Sequence, residues 1–300
     1  MRIGLYGLPT AGKTFILDTV KNLNVLQGSD LLKEMAPDFH FLSSEKKMCV
    51  RKQLAVNLKQ KDNFIMDGHY AFGHEVVFTE EDGELYDTIL YLYIEPSILK
   101  MRMKNSIKNK KYLAFDIEQW QKFEIDALRE YCHKNNKDFY VLDNPDKGYF
   151  EDVSIILEFI NAILEGYSCF KYAQKCTYSI LSKIKAKEIC LADGDKTLIM
   201  EDSSRILGYK THIFDGNFYT GFQSWKHTKE IIEFLHRINW TSCLYEELDI
   251  HFNNLVLEKI TMPCVILTSG YYGIWKEIAN KLNVNGIDLI YLCEKNFVTN

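Results

Sequence analysis

The sequence predicts an α/β protein of two domains, and three observations predict it. Up to Asn144, short apolar segments alternate with longer helical ones, the pattern of a parallel sheet covered on both faces. A glycine-rich loop stands between the first apolar segment and the first helix. A second apolar segment opens at Glu188 and runs into an acidic turn. The expected domains are residues 1–165 and 166–300, each long enough to bury its own core.

In chain order, Arg2-Ile-Gly-Leu-Tyr6 is a short apolar strand, and residues 13–22 form a helix whose Phe15-Ile-Leu stretch turns inward. Further strands are expected around 23–27, at 63–67 (Asn-Phe-Ile-Met-Asp), at 87–94 (Asp-Thr-Ile-Leu-Tyr-Leu-Tyr-Ile) and at 138–142 (Asp-Phe-Tyr-Val-Leu). Helices are expected at 44–60, 96–108 and 116–136, with a closing helix over 150–165 and a helical connector over 168–186. No internal repeat or low-complexity tract interrupts the pattern.

The net charge of −5 over 300 residues excludes a chain that is basic throughout, as a nucleic-acid platform would be. No apolar run approaches the ~20 residues that span a bilayer. The glycine loop interrupts the first apolar stretch, so no secretory leader is expected. The eight cysteines are scattered without a C-x-x-C pair, which fits reduced thiols of a cytoplasmic protein. Nothing in the sequence indicates an oligomeric state.

The loop reads Gly7-Leu8-Pro9-Thr10-Ala11-Gly12-Lys13-Thr14, of the form G-x-x-x-x-G-K-T. The two glycines let the backbone curl so that its N–H groups converge on a triphosphate, and the following helix adds its positive end. Lys13 sets a charge against the β- and γ-phosphates, and the Thr14 hydroxyl is offered to Mg²⁺. The expected cofactors are therefore ATP and Mg²⁺.

Four segments, covering roughly residues 1–165, resemble the adenylate-kinase-like branch of the P-loop kinases. They are the loop itself, Gly28-Ser-Asp-Leu-Leu-Lys-Glu34, Phe64-Ile-Met-Asp-Gly-His69, and Leu90-Tyr-Leu-Tyr-Ile-Glu-Pro-Ser-Ile-Leu-Lys-Met-Arg102. The resemblance implies a P-loop NTPase sheet with helices on both faces. Asp30 would orient or deprotonate an acceptor hydroxyl, or else cap the helix that follows it. Asp67 would hold Mg²⁺ through water, and His69 would contact the acceptor or serve the structure alone. Six basic residues and no acid lie between Lys100 and Lys111, where a kinase lid belongs. Arg102 is the expected phosphate contact there, and the lysines can also track a polyanion. The sequence departs from true adenylate kinases after Asp-Gly. His69-Tyr-Ala-Phe72 replaces the segment with the arginine that clamps a monophosphate, so plain AMP is not the expected acceptor.

In the second half, Ile189-Cys-Leu-Ala-Asp-Gly-Asp-Lys-Thr-Leu198 resembles the first motif of the haloacid-dehalogenase-like phosphatases, in particular the small phosphoserine-phosphatase type. The resemblance implies a Rossmann-like domain in which Asp193 attacks phosphorus and Asp195 trades a proton with the leaving group. Both aspartates would flank Mg²⁺, and Thr197 would fix the turn. Cys264-Val-Ile-Leu-Thr-Ser-Gly270 is similar to the second motif, with Ser269, or alternatively Thr268, on the phosphoryl oxygens. Residues 199–260 fit a small helical cap, with Glu201, Asp202 and Arg205 at its start. Lys276, Lys281 and Lys295 are candidates for the third-motif lysine. The acidic fourth motif does not occur before Asn300, so the domain is expected to be incomplete at its C-terminal end.

Together these features predict a bifunctional cytoplasmic enzyme: an ATP-dependent kinase of a nucleotide or small phosphorylated metabolite, followed by a Mg²⁺-dependent phosphatase. Two alternatives stand beside it. One is a polynucleotide 5′-kinase/3′-phosphatase, favoured by the lysine-rich lid. The other is a non-catalytic nucleotide-binding regulator.

Overall fold

The computed structural model describes residues 1–206, 208, 221–239, 246–268, 270, 272–282 and 288–291. The chain forms two compact units, the first built on Met1–Tyr167 together with Gly221 and Phe222, the second on the other described residues from Ser168 onward.

In the first unit the elements run β1 (Arg2–Tyr6), α1 (Lys13–Leu17), β2 (Asn24–Leu26), α2 (Gly28–Met35), α3 (Ser44–Leu58), β3 (Phe64–Asp67), β4 (Ala71–Phe72), β5 (Glu75–Val76), α4 (Glu80–Leu85), β6 (Thr88–Leu92), α5 (Pro96–Lys104), α6 (Ile117–Lys134), β7 (Asp138–Leu142) and α7 (Ser154–Leu164). Five strands form one sheet in the order β2-β3-β1-β6-β7, every pair parallel. β1 is central, and β6 is buried along its whole length. That is why both read as near-continuous apolar runs rather than alternating ones. Tyr6, Leu54, Leu58, Phe64, Met66, Tyr86, Tyr91, Ile125 and Leu128 pack into one core. Each large apolar side chain of this kind contributes about 1.5–3 kcal/mol by leaving water. The Asp116 carboxylate caps α6, accepting from the Glu118 and Gln119 N–H groups at 3.1 Å.

The sequence did not anticipate α4, or the antiparallel β4–β5 hairpin. α4 depends on a reciprocal cap, in which Thr79 and Asp82 bond each other's backbone N–H groups. α1 ends at Leu17 rather than 22 because Thr19 folds back, its N–H and hydroxyl both bonding the Ile16 carbonyl.

Beyond Tyr167 come α8 (Cys169–Lys183), β8 (Cys190–Asp193), α9 (Ser203–Ile206), α10 (Gly221–Arg237), α11 (Asn254–Leu257), β9 (Cys264–Thr268), α12 (Tyr272–Lys281) and β10 (Asp288–Tyr291). The three strands form a parallel sheet ordered β10-β9-β8. Ala192, Leu198, Ile266, Ile274, Trp275 and Ile278 pack into its core. The described part of 199–260, the expected cap, is largely helical. Lys276 and Lys281 lie on α12, while Ser269 and Lys295 fall outside the described residues. Among the described residues no helix is long and apolar enough to cross a membrane.

Candidate functional site

The loop Gly7–Thr14 leaves the carboxyl end of β1. In register, Leu5 sits beside Asp67 of β3 and Tyr6 beside Tyr91 of β6, so three strand ends converge there. In open parallel sheets this is where ligands bind. Gly7 has φ +148° and Gly12 φ +108°, and a Cβ on Gly7 would stand 2.9 Å from the Leu92 carbonyl. Only glycine fits that turn.

Lys13 opens α1 and is buried. Its ammonium donates to the Gly7 carbonyl at 2.6 Å and the Leu8 carbonyl at 3.3 Å. Burial lowers its pKa to about 8, against the pull of Asp67 and Glu124. The N–H groups of the first helical turn have no partner within the helix, and the buried Thr10 hydroxyl has none at all. A loop with these free donors fits a polyphosphate. The Thr14 hydroxyl and the Asp67 carboxylate are the neighbouring oxygens able to serve Mg²⁺. One Asp67 oxygen accepts from the Gly28 N–H at 2.9 Å, which ties the start of α2 to the end of β3.

The loop borders a cavity of about 820 Å³. Lys13, Lys47, Arg51, Lys108 and Lys111 line it, with Asp67, Glu75 and Asp82 as the acids. Lys47 and Arg51 lie four residues apart on α3, and therefore on one face. Arg51 stands 5.4 Å over the Phe39 ring, its pKa lowered by burial against the attraction of Asp82 and Glu75. No arginine follows Asp67-Gly68 to clamp an anion; α3 brings one into the cavity instead. Nothing in the sequence distinguishes Lys47 and Arg51 from the other charged residues of that helix.

His69 lies against Phe72, ring centroids 4.7 Å apart, and its buried Nδ1 has no partner. Burial first, then the charges of Lys13 and Arg51, pushes its pKa well below the usual histidine range. Glu124 of α6 is fully buried. It accepts from the Ala71 N–H at 3.0 Å, the Trp120 indole at 3.0 Å and the Tyr91 hydroxyl at 2.9 Å. Burial pushes its pKa up to about 7, despite these donors and Lys13. Glu124 thus holds the β4 hairpin, and with it the backbone beside His69.

Arg102 of α5 bonds the loop from outside, donating to the Thr10 carbonyl at 3.3 Å and the Ala11 carbonyl at 3.0 Å. Its guanidinium lies 5.6 Å over the Tyr149 ring. Both line a second hollow of about 440 Å³ with Phe15, Ile16, Leu92 and Phe150.

Asp30 requires a correction. The helix begins at Gly28, not after Asp30, so Asp30 is its third residue and neither caps it nor lines the cavity. Its side chain is 55% exposed and pairs with Lys33 at 3.0 Å, and that pairing lowers its pKa. The lysine run also divides: Lys108 and Lys111 line the cavity, whereas Lys104 and Lys110 are exposed outside it.

In the second unit Asp193 ends β8, paired in register with Leu267 of β9. Asp195 follows in a tight turn and accepts from the Ser203 N–H at 2.9 Å and hydroxyl at 3.1 Å. Burial raises its pKa, and the Ser203 bonds oppose the shift. Thr268 is buried at the end of β9, its hydroxyl accepting from the Gly270 N–H at 3.0 Å. Glu201 is engaged with His251, and Asp202 with Lys196 and Arg205. Among the described residues no group of three or more His, Cys, Asp or Glu is arranged to hold a metal.

The solved structures similar to this chain include three shikimate kinases. Shikimate kinase from Acinetobacter baumannii in complex with shikimate is 16% identical, with 54% of this chain and 92% of that one covered, TM-score 0.39. Shikimate kinase from Bacteroides thetaiotaomicron is 16% identical, covering 55% and 98%, TM-score 0.38. Shikimate kinase from Aquifex aeolicus is 18% identical, covering 55% and 97%, TM-score 0.36. No protein-family model and no curated protein sequence matches the chain.

Proposed function

We propose that the first unit is an ATP-dependent phosphotransferase acting on a small anionic acceptor, a nucleotide or another small phosphorylated metabolite. The observation that carries this reading is the position of Lys13. It lies at the border of an 820 Å³ cavity, beneath a loop with free donors and opposite the cations Lys47 and Arg51 of another helix. One set of charges suits the triphosphate; the other suits an anion on the acceptor. Thr14 and Asp67 would hold Mg²⁺, which when bound neutralises charge on the β- and γ-phosphates. The hollow between Arg102, Tyr149 and Phe15 suits a flat nucleobase, because it offers an aromatic face, a guanidinium plane and apolar walls. A cavity of this size favours a small acceptor over a polynucleotide, with Lys108 and Lys111 among its lining residues. A screen of nucleosides, nucleotides, sugars and 5′-OH oligonucleotides with γ-labelled ATP tests the assignment. Transfer to a small anion supports it, and transfer to oligonucleotides alone overturns it.

A second reading concerns the other unit. Asp193 at the end of β8, Asp195 two residues on, and Thr268 at the end of the adjoining β9 support a phosphatase site of the aspartyl-phosphate type. The raised pKa of Asp195 suits a group that must hold a proton and then give it up.

A further inference from the structure

We infer that the outer face of α5 and the turn that follows it form a docking surface for an anionic lipid bilayer, on which lysines meet the headgroups and Ile107 enters the acyl boundary. Such docking does not depend on what the cavity phosphorylates.

α5 buries Leu99 and Met103 on one side and leaves Lys100, Met101 and Lys104 exposed on the other. Past its end the chain makes a tight turn, in which the Ser106 carbonyl accepts from the Asn109 N–H at 3.2 Å and the Lys110 N–H at 3.0 Å. Ile107 and Lys108 stand at the corner of that turn, and Ile107 is fully exposed. Corner positions favour Gly, Pro, Asn, Asp and Ser, so turn formation does not call for an isoleucine there. Beyond the turn the segment is anchored: Tyr112 stacks on Phe72 at 6.1 Å and lies 5.5 Å from the Trp120 ring, while the adjoining Leu113 is exposed. No acid occurs between Glu95 and Asp116, and the Asp116 carboxylate is bonded to the start of α6. Lys100, Lys104, Lys108, Lys110 and Lys111 are all exposed, and among the described residues none of them pairs with an acid, whereas Lys33, Lys52, Lys59 and Lys147 each do. In a chain of net charge −5 this is a local excess of positive charge.

The mixture of unpaired lysines and exposed apolar side chains decides the partner. Lysines beside an anionic leaflet each add attraction, and apolar side chains held among them gain by leaving water. A polynucleotide would use the lysines but has no use for Met101, Ile107 or Leu113. The one ring between Lys100 and Ala114, that of Tyr112, is stacked on Phe72 rather than offered to a base. A protein partner calls for a continuous apolar centre, where lysine is depleted. Here lysines separate Met101, Ile107 and Leu113 along the chain. Lys108 and Lys111 also line the cavity, so Lys100, Lys104 and Lys110 are the cations that belong to the bilayer alone.

Co-sedimentation of the full chain with vesicles of phosphatidylserine and phosphatidylcholine in equal parts, at physiological ionic strength, tests this. The native chain should sediment with the mixed vesicles and stay in solution with phosphatidylcholine alone. Lys104→Ala combined with Lys110→Ala should weaken the partition roughly 10-fold or more, with affinity for a non-hydrolysable ATP analogue unchanged. Ile107→Ser should weaken it by about 10-fold. Ile107→Trp should still bind, and the fluorescence it adds should be quenched by brominated acyl chains, as a side chain below the headgroups requires. No sedimentation with the mixed vesicles, equal sedimentation with phosphatidylcholine alone, a partition that survives the double substitution, or a bound Ile107→Trp chain without acyl-chain quenching overturns the inference. A single-stranded oligonucleotide that the native chain binds in place of vesicles, and the double variant does not, overturns it in favour of nucleic acid.

Discussion

The Tyr91 hydroxyl, in the central part of β6, donates a 2.9 Å hydrogen bond to the Glu124 carboxylate of α6, and neither side chain reaches solvent. Glu124 also receives the Ala71 N–H and the Trp120 indole, so one buried acid joins the sheet, a helix and the hairpin beside the loop.

Glu124→Ala leaves three buried donors unpaired and should cost at least ~3 kcal/mol, at about 1–3 kcal/mol for each orphaned group. Glu124→Gln preserves the shape and should cost far less. The pH dependence distinguishes the two explanations of that tolerance. The folded-state pKa is raised from 4.5 to about 7, so the protonated acid is preferred in the fold. Its stability contribution is whole below 4.5 and is lost as pH rises through 7. Urea unfolding from pH 5 to pH 8 should show the native chain losing on the order of 2 kcal/mol relative to Glu124→Gln. Parallel pH curves for the two proteins would contradict the buried-acid account.

Arg51→Met should raise the acceptor KM by about 10²-fold, as loss of a charge-assisted bond worth ~1.5–3 kcal/mol implies. The ATP KM should move little, because Arg51 belongs to α3 and not to the loop. Steady-state kinetics with an acceptor from the screen checks both values, and an unchanged acceptor KM would remove Arg51 from the site.

Asp30→Asn should leave turnover within about 2-fold, since the surface position of its partner Lys33 makes the pair weak and remote from the chemistry. A loss near 10³-fold, the range expected of a general base, would return Asp30 to the catalytic set.

Features set by local spacing were legible in the sequence, and features set by helix rotation were not. Gly7, Gly12, Lys13 and Thr14 follow from one strand–turn–helix, and β1, β3 and β6 are the apolar runs that burial on both faces requires. Asp30 stands four residues past the end of β2, as a ligand-facing acid would, but a helix starting at Gly28 turns it to solvent. Arg51 and Lys47 reach the cavity only because α3 presents one of its faces there, a face on which they stand among Met48 and Leu54. The buried, unpartnered Nδ1 of His69 depends on the packing around the ring, which no local pattern encodes.

For the second unit, Asp193→Asn should abolish hydrolysis of p-nitrophenyl phosphate with Mg²⁺ while ATP binding in the first unit is kept. Vanadate with Mg²⁺ should raise the melting temperature of the native chain through this site, as a ligand selective for the folded state does. Hydrolysis that survives Asp193→Asn would show that the nucleophile lies elsewhere.

The central claim is that Lys13 belongs to a phosphoryl-transfer site, and labelled transfer from ATP to the screened acceptor tests it most directly. Lys13→Ala, with its fold checked by circular dichroism, should lose roughly 10²-fold or more in kcat/KM, about 3 kcal/mol of transition-state stabilisation. Transfer by Lys13→Ala at the rate of the native chain would contradict the account.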